Sequence, residues 1–243
     1  MDRAKIYNTG FSLVELSIVL VILGLLVGGV LSGQSLIRAA ELRRVTADAE
    51  RFMAAHRTFQ DKYFALPGDM PNATAFWGTA AGNGRDTACR DFSSTGLPTC
   101  NGNGDGLIDD KSVIYEEMRY WQHLANAGLI EGSYTGTYNS SGLPYTPGGN
   151  LPSGRVNSSA IWYIYSDTPN ETPIYLFQSD DSSQTLKPEE AWKIDSKLDD
   201  GIPNTGKVRA YGDVSNTCTN AAETQYLLTN NAVVCALYLL PYN

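Results

Sequence analysis

The sequence predicts an α+β fold: a long N-terminal helix, membrane-spanning in its first half, packs on a C-terminal globular domain with an antiparallel sheet. Three observations predict it: an uncharged apolar run, an apolar stripe directly after that run, and several short strand-like segments closer to the C-terminus. The 243 residues, 42% hydrophobic and 18% charged, can bury one main core and carry an appendage.

The apolar run extends from Leu16 to Ile37, 22 consecutive residues without a formal charge. As a helix it spans roughly 33 Å, against a hydrocarbon core of about 30 Å. A secretory signal peptide is the alternative interpretation, with a mature N-terminus near residue 34. The acidic Glu15 at the head of the run argues against this alternative, because an acid there opposes insertion.

The helical pattern also continues past the point where a signal peptide would be cleaved. Seven residues repeat at alternating steps of three and four, and they form one apolar stripe: Leu42, Val45, Ala49, Phe52, His56, Phe59 and Tyr63. Pro67 and Gly68 follow and are expected to end this helix. The apolar run and the stripe therefore predict a single helix.

Beyond this helix the pattern predicts a compact body of helices and strands. Two more helices are expected, Ser112 to Ala127 and one that begins at Pro188. Strand-like runs rich in β-branched and aromatic residues are expected at residues 161–165, 174–177, 208–211, 225–228 and 233–240. A sheet packed on the second half of the long helix would bury the stripe.

The short stretch Gly10-Phe11-Ser12-Leu13-Val14-Glu15 lies directly before the apolar run. It resembles the processing site of type IV prepilins and of the pseudopilins of type II secretion. In that family a membrane peptidase cuts after the glycine and methylates the new N-terminal amine. The resemblance implies a pilin-like fold, a scissile bond between Gly10 and Phe11, and an assembly role for Glu15 as the fifth mature residue.

The charge of Glu15 has a physical interpretation beside this resemblance. An unpaired carboxylate in hydrocarbon costs several kcal/mol, so an acid in a membrane segment implies a partner charge or neutralisation. The amine released before Phe11 is such a partner, in a neighbouring subunit of a growing filament. The alternative is an interfacial acid that reaches toward lipid headgroups.

The resemblance and the pattern together predict three segments. Residues 1–10 form a prepilin leader, and residues 11–63 form the N-terminal helix. Within this helix, residues 11–37 are the transmembrane part and residues 38–63 the amphipathic part. Residues 64–243 form a globular α+β domain.

A glycine-rich loop after this helix has the spacing of a calcium-binding loop. Asn101, Asn103, Asp105 and Asp109 supply oxygen side chains at positions one, three, five and nine, and Leu107 is the position that ligates through its carbonyl oxygen. The twelfth position is Ser112 instead of a bidentate glutamate, and Glu116 or Glu117 of the following helix could compensate. A glycine-rich turn without an ion is the alternative. Major pseudopilins bind calcium, so the resemblance favours calcium as a cofactor.

Four cysteines, Cys89, Cys100, Cys218 and Cys235, all follow the predicted membrane segment, with no Cys-x-x-Cys pair. This placement favours disulfides in an oxidising space. Three pairings exist, and we favour the two that are near in sequence, Cys89–Cys100 and Cys218–Cys235.

The function expected from these features is that of a filament subunit and not of an enzyme. The chain has two histidines and no Gly-x-Ser-x-Gly motif, so a nucleophilic triad has little support. The net charge of −8 argues against nucleic acid as a partner.

The resemblance implies as partners other copies of the chain, prepilin peptidase and the inner-membrane assembly machinery. It implies a precursor in the bacterial inner membrane with its globular domain in the periplasm, and later a periplasmic or cell-surface filament. Two alternatives stay open: a minor or tip subunit that binds cargo or surfaces, and a conventionally secreted calcium- or glycan-binding domain.

Overall fold

The computed structural model describes residues 12–82, 84, 89, 96–108, 115–138, 145–166, 168, 171–179, 184–211 and 216–241. Its first element is a single helix, α1, over Leu13–Tyr63. Phe64 follows in a left-handed conformation with φ 54°, so α1 ends before the predicted stop at Pro67. The boundary between the two compact units of the chain lies inside α1, between Glu41 and Leu42.

The part of α1 in the first unit exposes its apolar side chains on every side. All sixteen large apolar side chains from Leu13 to Ile37 are 51% to 90% exposed. Burying one large apolar side chain away from water contributes roughly 1.5–3 kcal/mol. For this segment the total burial free energy would amount to tens of kcal/mol, and it depends on what surrounds the helix. An apolar surface all around a helix is typical of a membrane span or of a helix within a bundle.

The part of α1 in the second unit buries the predicted stripe. Val45, Ala49, Phe52, His56 and Phe59 are at most 1% exposed. The Phe52 ring makes edge contacts with two tryptophans of the globular domain, with centroid distances of 5.0 Å to Trp121 and 5.5 Å to Trp162. The stripe is therefore the α1 side of the main core, as the sequence predicts.

A four-stranded antiparallel sheet forms the other side of this core, with strands β1 (Ala160–Ile164), β2 (Ile174–Gln178), β3 (Val208–Tyr211) and β4 (Ala236–Leu239). The strand order is β1-β2-β4-β3. The pairing places Trp162 opposite Leu176, and Leu176 opposite Leu237, on the face toward the core. The predicted α+β fold, with a long N-terminal helix followed by a domain with an antiparallel sheet, is confirmed.

Three further helices can be bounded in the part of the chain that the structure describes: α2 (Ala73–Trp77), α3 (Glu116–Asn126) and α4 (Pro188–Leu198). The helix expected from Pro188 is confirmed. The helix predicted from Ser112 begins later, because Tyr115 has φ 51° and ψ 73°, a left-handed conformation that no α-helix can continue through. Gly128, with φ 72°, follows α3 as the expected stop.

Two strand predictions need correction. Residues 225–228 form no strand, and Tyr226 makes only an isolated bridge to Thr219. The run predicted at 233–240 is a strand only over Ala236–Leu239, while Cys235 makes an isolated bridge to Leu186. Both segments lie in or next to the loop closed by the Cys218–Cys235 disulfide. Tyr226 and Leu237 nevertheless belong to the main core, so apolar composition there reflects burial and not strand length.

Candidate functional site

The N-terminal end of α1 is held by a reciprocal pair of hydrogen bonds. Glu15 Oε2 accepts a hydrogen bond from the Ser12 backbone N–H at 2.9 Å, and Ser12 Oγ accepts one from the Val14 backbone N–H at 3.3 Å. This is a capping box, which satisfies backbone donors that a helix start leaves unpaired. Its Ser-x-x-Glu signal is present in the sequence as Ser12 and Glu15.

Glu15 is also the predicted assembly residue, so its position has two consequences. It lies in the first turn of α1, where a negative charge is favoured by the helix dipole. The predicted processing residues Gly10 and Phe11 lie outside the described residues. The structure thus gives Glu15 a capping contact within its own helix and leaves its assembly role a prediction.

The apolar part of α1 is long and apolar enough to cross a membrane by length and composition. Its most apolar 18-residue window has a mean hydropathy of 2.6, and none of that window is buried. Gly24, Gly28, Gly29 and Gly33 lie in this part of the helix, and a Cβ atom added at any of them would meet nothing within 4 Å. The surface at these glycines is open to close approach by another helix.

The predicted calcium loop is organised around a residue that the sequence did not single out. The Asp69 carboxylate accepts backbone N–H bonds from Gly104 at 2.5 Å, from Asp105 at 3.2 Å and from Gly106 at 2.9 Å. Burial raises the pKa of the Asp69 carboxyl above its usual range, and the amide hydrogen bonds oppose that rise. The loop therefore wraps its amide groups around a buried carboxylate.

The predicted calcium ligands do not all point to one centre. Asn101 Oδ1 accepts a hydrogen bond from the backbone N–H of Thr74 at 2.8 Å, which holds the start of α2. Asn103 and Asp105 bond each other, with 2.8 Å between Asn103 Nδ2 and Asp105 Oδ2. Leu107 donates its N–H to Asp105 Oδ1 at 2.9 Å.

A different set of carboxylates comes together beside this loop. Asp69, Asp105 and Glu116 each have an oxygen within 4.8 Å of the others. Asp105 is one of the predicted loop ligands, Glu116 is one of the two glutamates that could compensate for Ser112, and Asp109 lies outside the described residues. Asp69 is far in sequence from the loop, so loop spacing alone could not have found it. Calcium binding stays a prediction.

A second carboxylate group forms where α4 ends, at Asp195, Asp199 and Asp200. Asp195 is fully buried and accepts hydrogen bonds from the Tyr226 hydroxyl at 2.8 Å and from the Gly201 N–H at 3.1 Å. Burial raises the pKa of the Asp195 carboxyl to about 6. Asp200 accepts from the Ile202 N–H and from the Thr205 hydroxyl, so this group organises a turn.

Both histidines have packing roles. His56 Nδ1 lies 2.9 Å from the Tyr120 hydroxyl. His123 Nδ1 accepts a hydrogen bond from the Gly68 N–H at 2.9 Å, so its proton lies on Nε2, 3.2 Å from the Cys100 carbonyl oxygen. Burial lowers the pKa of each imidazole to about 3, so both are neutral at pH 7.

The disulfides join Cys89 to Cys100 and Cys218 to Cys235, the two pairings that we favoured. The first lies beside a buried cation, because Arg119 donates a hydrogen bond to the Cys89 carbonyl oxygen at 2.7 Å. Burial lowers the pKa of Arg119 to about 10, which still leaves it charged at pH 7. Both disulfides are consistent with an exported domain.

Comparison with protein families gives one match, the prokaryotic N-terminal methylation motif, over residues 7–31. The matched residues include Glu15 and more than half of the exposed apolar segment of α1. Neither a curated protein nor a solved structure matches the chain significantly. The matched motif suggests a structural subunit more than an enzyme. At its N-terminal end, this chain carries the methylation motif that is the signature of type IV prepilins and pseudopilins.

Proposed function

We propose that this protein is a structural subunit of a type IV pilus-like or type II secretion pseudopilus-like filament. It is made as a membrane-anchored precursor, cut between Gly10 and Phe11 by prepilin peptidase, and polymerised through α1. The proposal rests on the overlap of two features in the sequence. The methylation motif at residues 7–31 overlaps a helix segment whose large apolar side chains have no partner within the described chain.

The same overlap supports the proposed location. A precursor with this segment in the inner membrane would keep its globular domain in the periplasm, where disulfides form and persist. Cys89–Cys100 and Cys218–Cys235 both belong to that domain. On assembly, the apolar surface from Leu13 to Ile37 would exchange lipid for the helices of neighbouring subunits.

Glu15 has a defined task in this proposal. A carboxylate carried into a bundle of apolar helices needs a partner charge, and the amine created at Phe11 supplies one in an adjacent copy. The attraction would select the axial position of each incoming subunit. Before assembly, the bond from the Ser12 N–H partly satisfies the same carboxylate.

Substitution of Glu15 by glutamine and by alanine separates capping from charge. Glu15→Gln keeps an oxygen that can cap the Ser12 N–H, whereas Glu15→Ala removes both the cap and the charge. We expect both variants to be inserted and cleaved, and neither to give filaments in a pelleting assay of sheared cell-surface material or detergent extracts. If Glu15→Gln assembled like the wild type, capping and not charge would be the role of Glu15.

The mature N-terminus tests the proposal as a whole. Mass spectrometry of the purified chain is expected to find a methylated N-terminal residue at Phe11. Mature chains that begin at Met1 would contradict processing. Chains that begin near residue 34 would favour the conventionally secreted alternative.

Calcium remains a separate hypothesis within this function. The proximity of Asp69, Asp105 and Glu116 supports it. Thermal melting of the purified protein with calcium and with EDTA is the direct measurement, and Asp105→Asn is the matched variant. A melting temperature that does not change with calcium would remove the site.

A further inference from the structure

The outer face of the sheet is aromatic, although the solvent side of an antiparallel sheet is commonly polar. All four strands contribute to it, and its members, here called the aromatic face, are Tyr163, Tyr175, Phe177, Tyr211 and Tyr238. The register places Tyr163 opposite Tyr175, and Tyr175 opposite Tyr238. These residues alternate along their strands with the side chains of the core.

The aromatic face is continuous and accessible. Ring centroids lie 5.0 Å apart for Tyr175 and Phe177, 5.0 Å for Tyr175 and Tyr211, and 5.6 Å for Tyr175 and Tyr238. Each of its five side chains is partly exposed, and Tyr211 is 41% exposed. A contiguous aromatic patch that stays partly accessible across four strands is a candidate binding surface.

A pocket of about 150 Å³ opens beside the aromatic face. Tyr175, Tyr211 and Tyr238 line it together with Arg209 and Glu171. The Arg209 Nε–H donates to the Gly206 carbonyl oxygen at 3.1 Å, a bond that positions the guanidinium plane and does not use its terminal nitrogens. The pocket thus combines aromatic rings with one planar donor group and one planar acceptor group.

The charges of the pocket restrict what it can bind. Among the described residues that line the pocket, the charged ones are Arg209 and Glu171, with opposite formal charges, in a chain whose net charge is −8. A phosphate or an acidic polymer would require an excess of cations, and a basic peptide an excess of anions. The balanced charge of the described lining therefore favours a neutral ligand.

We propose that the aromatic face and its pocket bind a neutral carbohydrate chain. Aromatic rings with a polar tip suit a ligand that is apolar on its ring faces and wet at its hydroxyls. The pocket volume equals about five waters at about 30 Å³ each, which suits one sugar ring better than a peptide segment. The rest of the aromatic face would carry the following rings of the chain.

The proposal does not depend on filament assembly, because all of these residues belong to the second compact unit. The test uses the full chain in a zwitterionic detergent without a sugar headgroup. Isothermal titration calorimetry would be run with cellohexaose and chitohexaose as neutral probes and with a hexamer of galacturonate as the acidic comparator. We expect at least one neutral hexamer to bind, and the acidic hexamer to bind more weakly.

Two variants test the location of the site. Tyr211→Ala is expected to weaken binding about tenfold, through loss of one stacking ring, whereas Tyr211→Phe should stay close to the wild type. Trp192→Ala is the matched control, since Trp192 lies on α4 outside the aromatic face and is 39% exposed. If Tyr211→Ala lowers the melting temperature, Arg209→Gln replaces it, with a similar expected loss.

Several results would overturn the proposal. They are the absence of binding to either neutral hexamer, tighter binding of the acidic hexamer, and equal weakening by Tyr211→Ala and Trp192→Ala. Concentration-dependent dimerisation that Tyr211→Ala abolishes would instead assign the aromatic face to a second copy of the chain.

Discussion

The two parts of α1 have the same backbone structure and opposite surroundings. From Leu13 to Ile37 every large apolar side chain is at least 51% exposed, whereas five stripe residues between Val45 and Phe59 are at most 1% exposed. The second part finds its apolar partners in its own globular domain. The first part finds none among the described residues, and in the proposed function lipid or other subunits supply them.

This difference teaches that helix formation and helix stabilisation have separate sources here. Propensity and the absence of proline allow one helix over Leu13–Tyr63. Tertiary packing stabilises only its second part, because burial of an apolar face contributes more than propensity. Substitutions in the two parts should therefore affect different measurements.

The largest expected effect comes from the buried stripe. Phe52→Ala removes a ring packed between Trp121 and Trp162 and should lower the free energy of unfolding by about 3–5 kcal/mol. Urea denaturation in detergent, followed by tryptophan fluorescence, measures it. All four tryptophans lie after residue 64, so this signal reports the globular domain.

The matched control for this prediction is Leu20→Ala in the exposed part of α1. Leu20 is 61% exposed, and its substitution should change the same unfolding free energy by less than about 0.5 kcal/mol. Equal effects of the two substitutions would contradict the claim that only the second part of α1 is stabilised by packing in the globular domain.

The second largest effect is expected from the disulfide near the C-terminal end. Cys218→Ala together with Cys235→Ala opens a loop of sequence separation 17 and should lower the unfolding free energy by about 3 kcal/mol. Alanine is used because both sulfurs are buried, and a serine hydroxyl would add an unsatisfied polar group. The far-UV helical signal of the exposed part of α1 should persist in this variant.

The buried histidines should make the globular domain sensitive to acid. Their folded pKa of about 3 lies below the unfolded value of about 6.5, so the unfolded chain takes up protons first as the pH falls. Each histidine should remove about 2 kcal/mol of stability between pH 7 and pH 5. His56→Asn keeps a hydrogen-bond partner for the Tyr120 hydroxyl and removes one of the two buried histidines. The variant should therefore lose about half as much stability as the wild type between pH 7 and pH 5. An unchanged pH dependence in this variant would contradict the assignment.

The smallest effect has the opposite sign. Burial raises the pKa of Asp195 to about 6, so the folded chain holds that proton at a higher pH than the unfolded chain. Its contribution to stability should rise by about 1 kcal/mol as the pH falls from 7 to 5. Asp195→Asn removes this titration, so the variant should lose more stability than the wild type over the same pH range. If the unfolding free energies of the two proteins changed in parallel with pH, the Asp195 carboxyl would not have the raised pKa on which this prediction depends.

The helices show where sequence patterns suffice and where they fail. The stripe and the start of α4 are local patterns, and the structure has both. The start of α3 was placed too early, because the left-handed conformation of Tyr115 has no signal in the helical period. The segment at 225–228 has strand composition, yet its residues pack beside a disulfide-closed turn instead of joining the sheet.

The candidate sites divide in the same way. The processing motif and Glu15 are contiguous in sequence and were found from it. Asp69 was missed because it lies 35 to 37 residues before the residues whose backbone N–H groups donate hydrogen bonds to it. The carboxylate group at the end of α4 was missed because Asp195 meets Tyr226 only in the folded chain.

The sequence by itself determined the long helix, its division into an uncharged and an amphipathic part, and the methylation motif at its start. Each of these depends on residues within a few turns of one another. Only the tertiary structure decided that the loop at residues 101–108 encloses Asp69, and that aromatic rings from four strands form one outer face. These features depend on contacts between residues far apart in the chain, and the sheet register and core packing set those contacts.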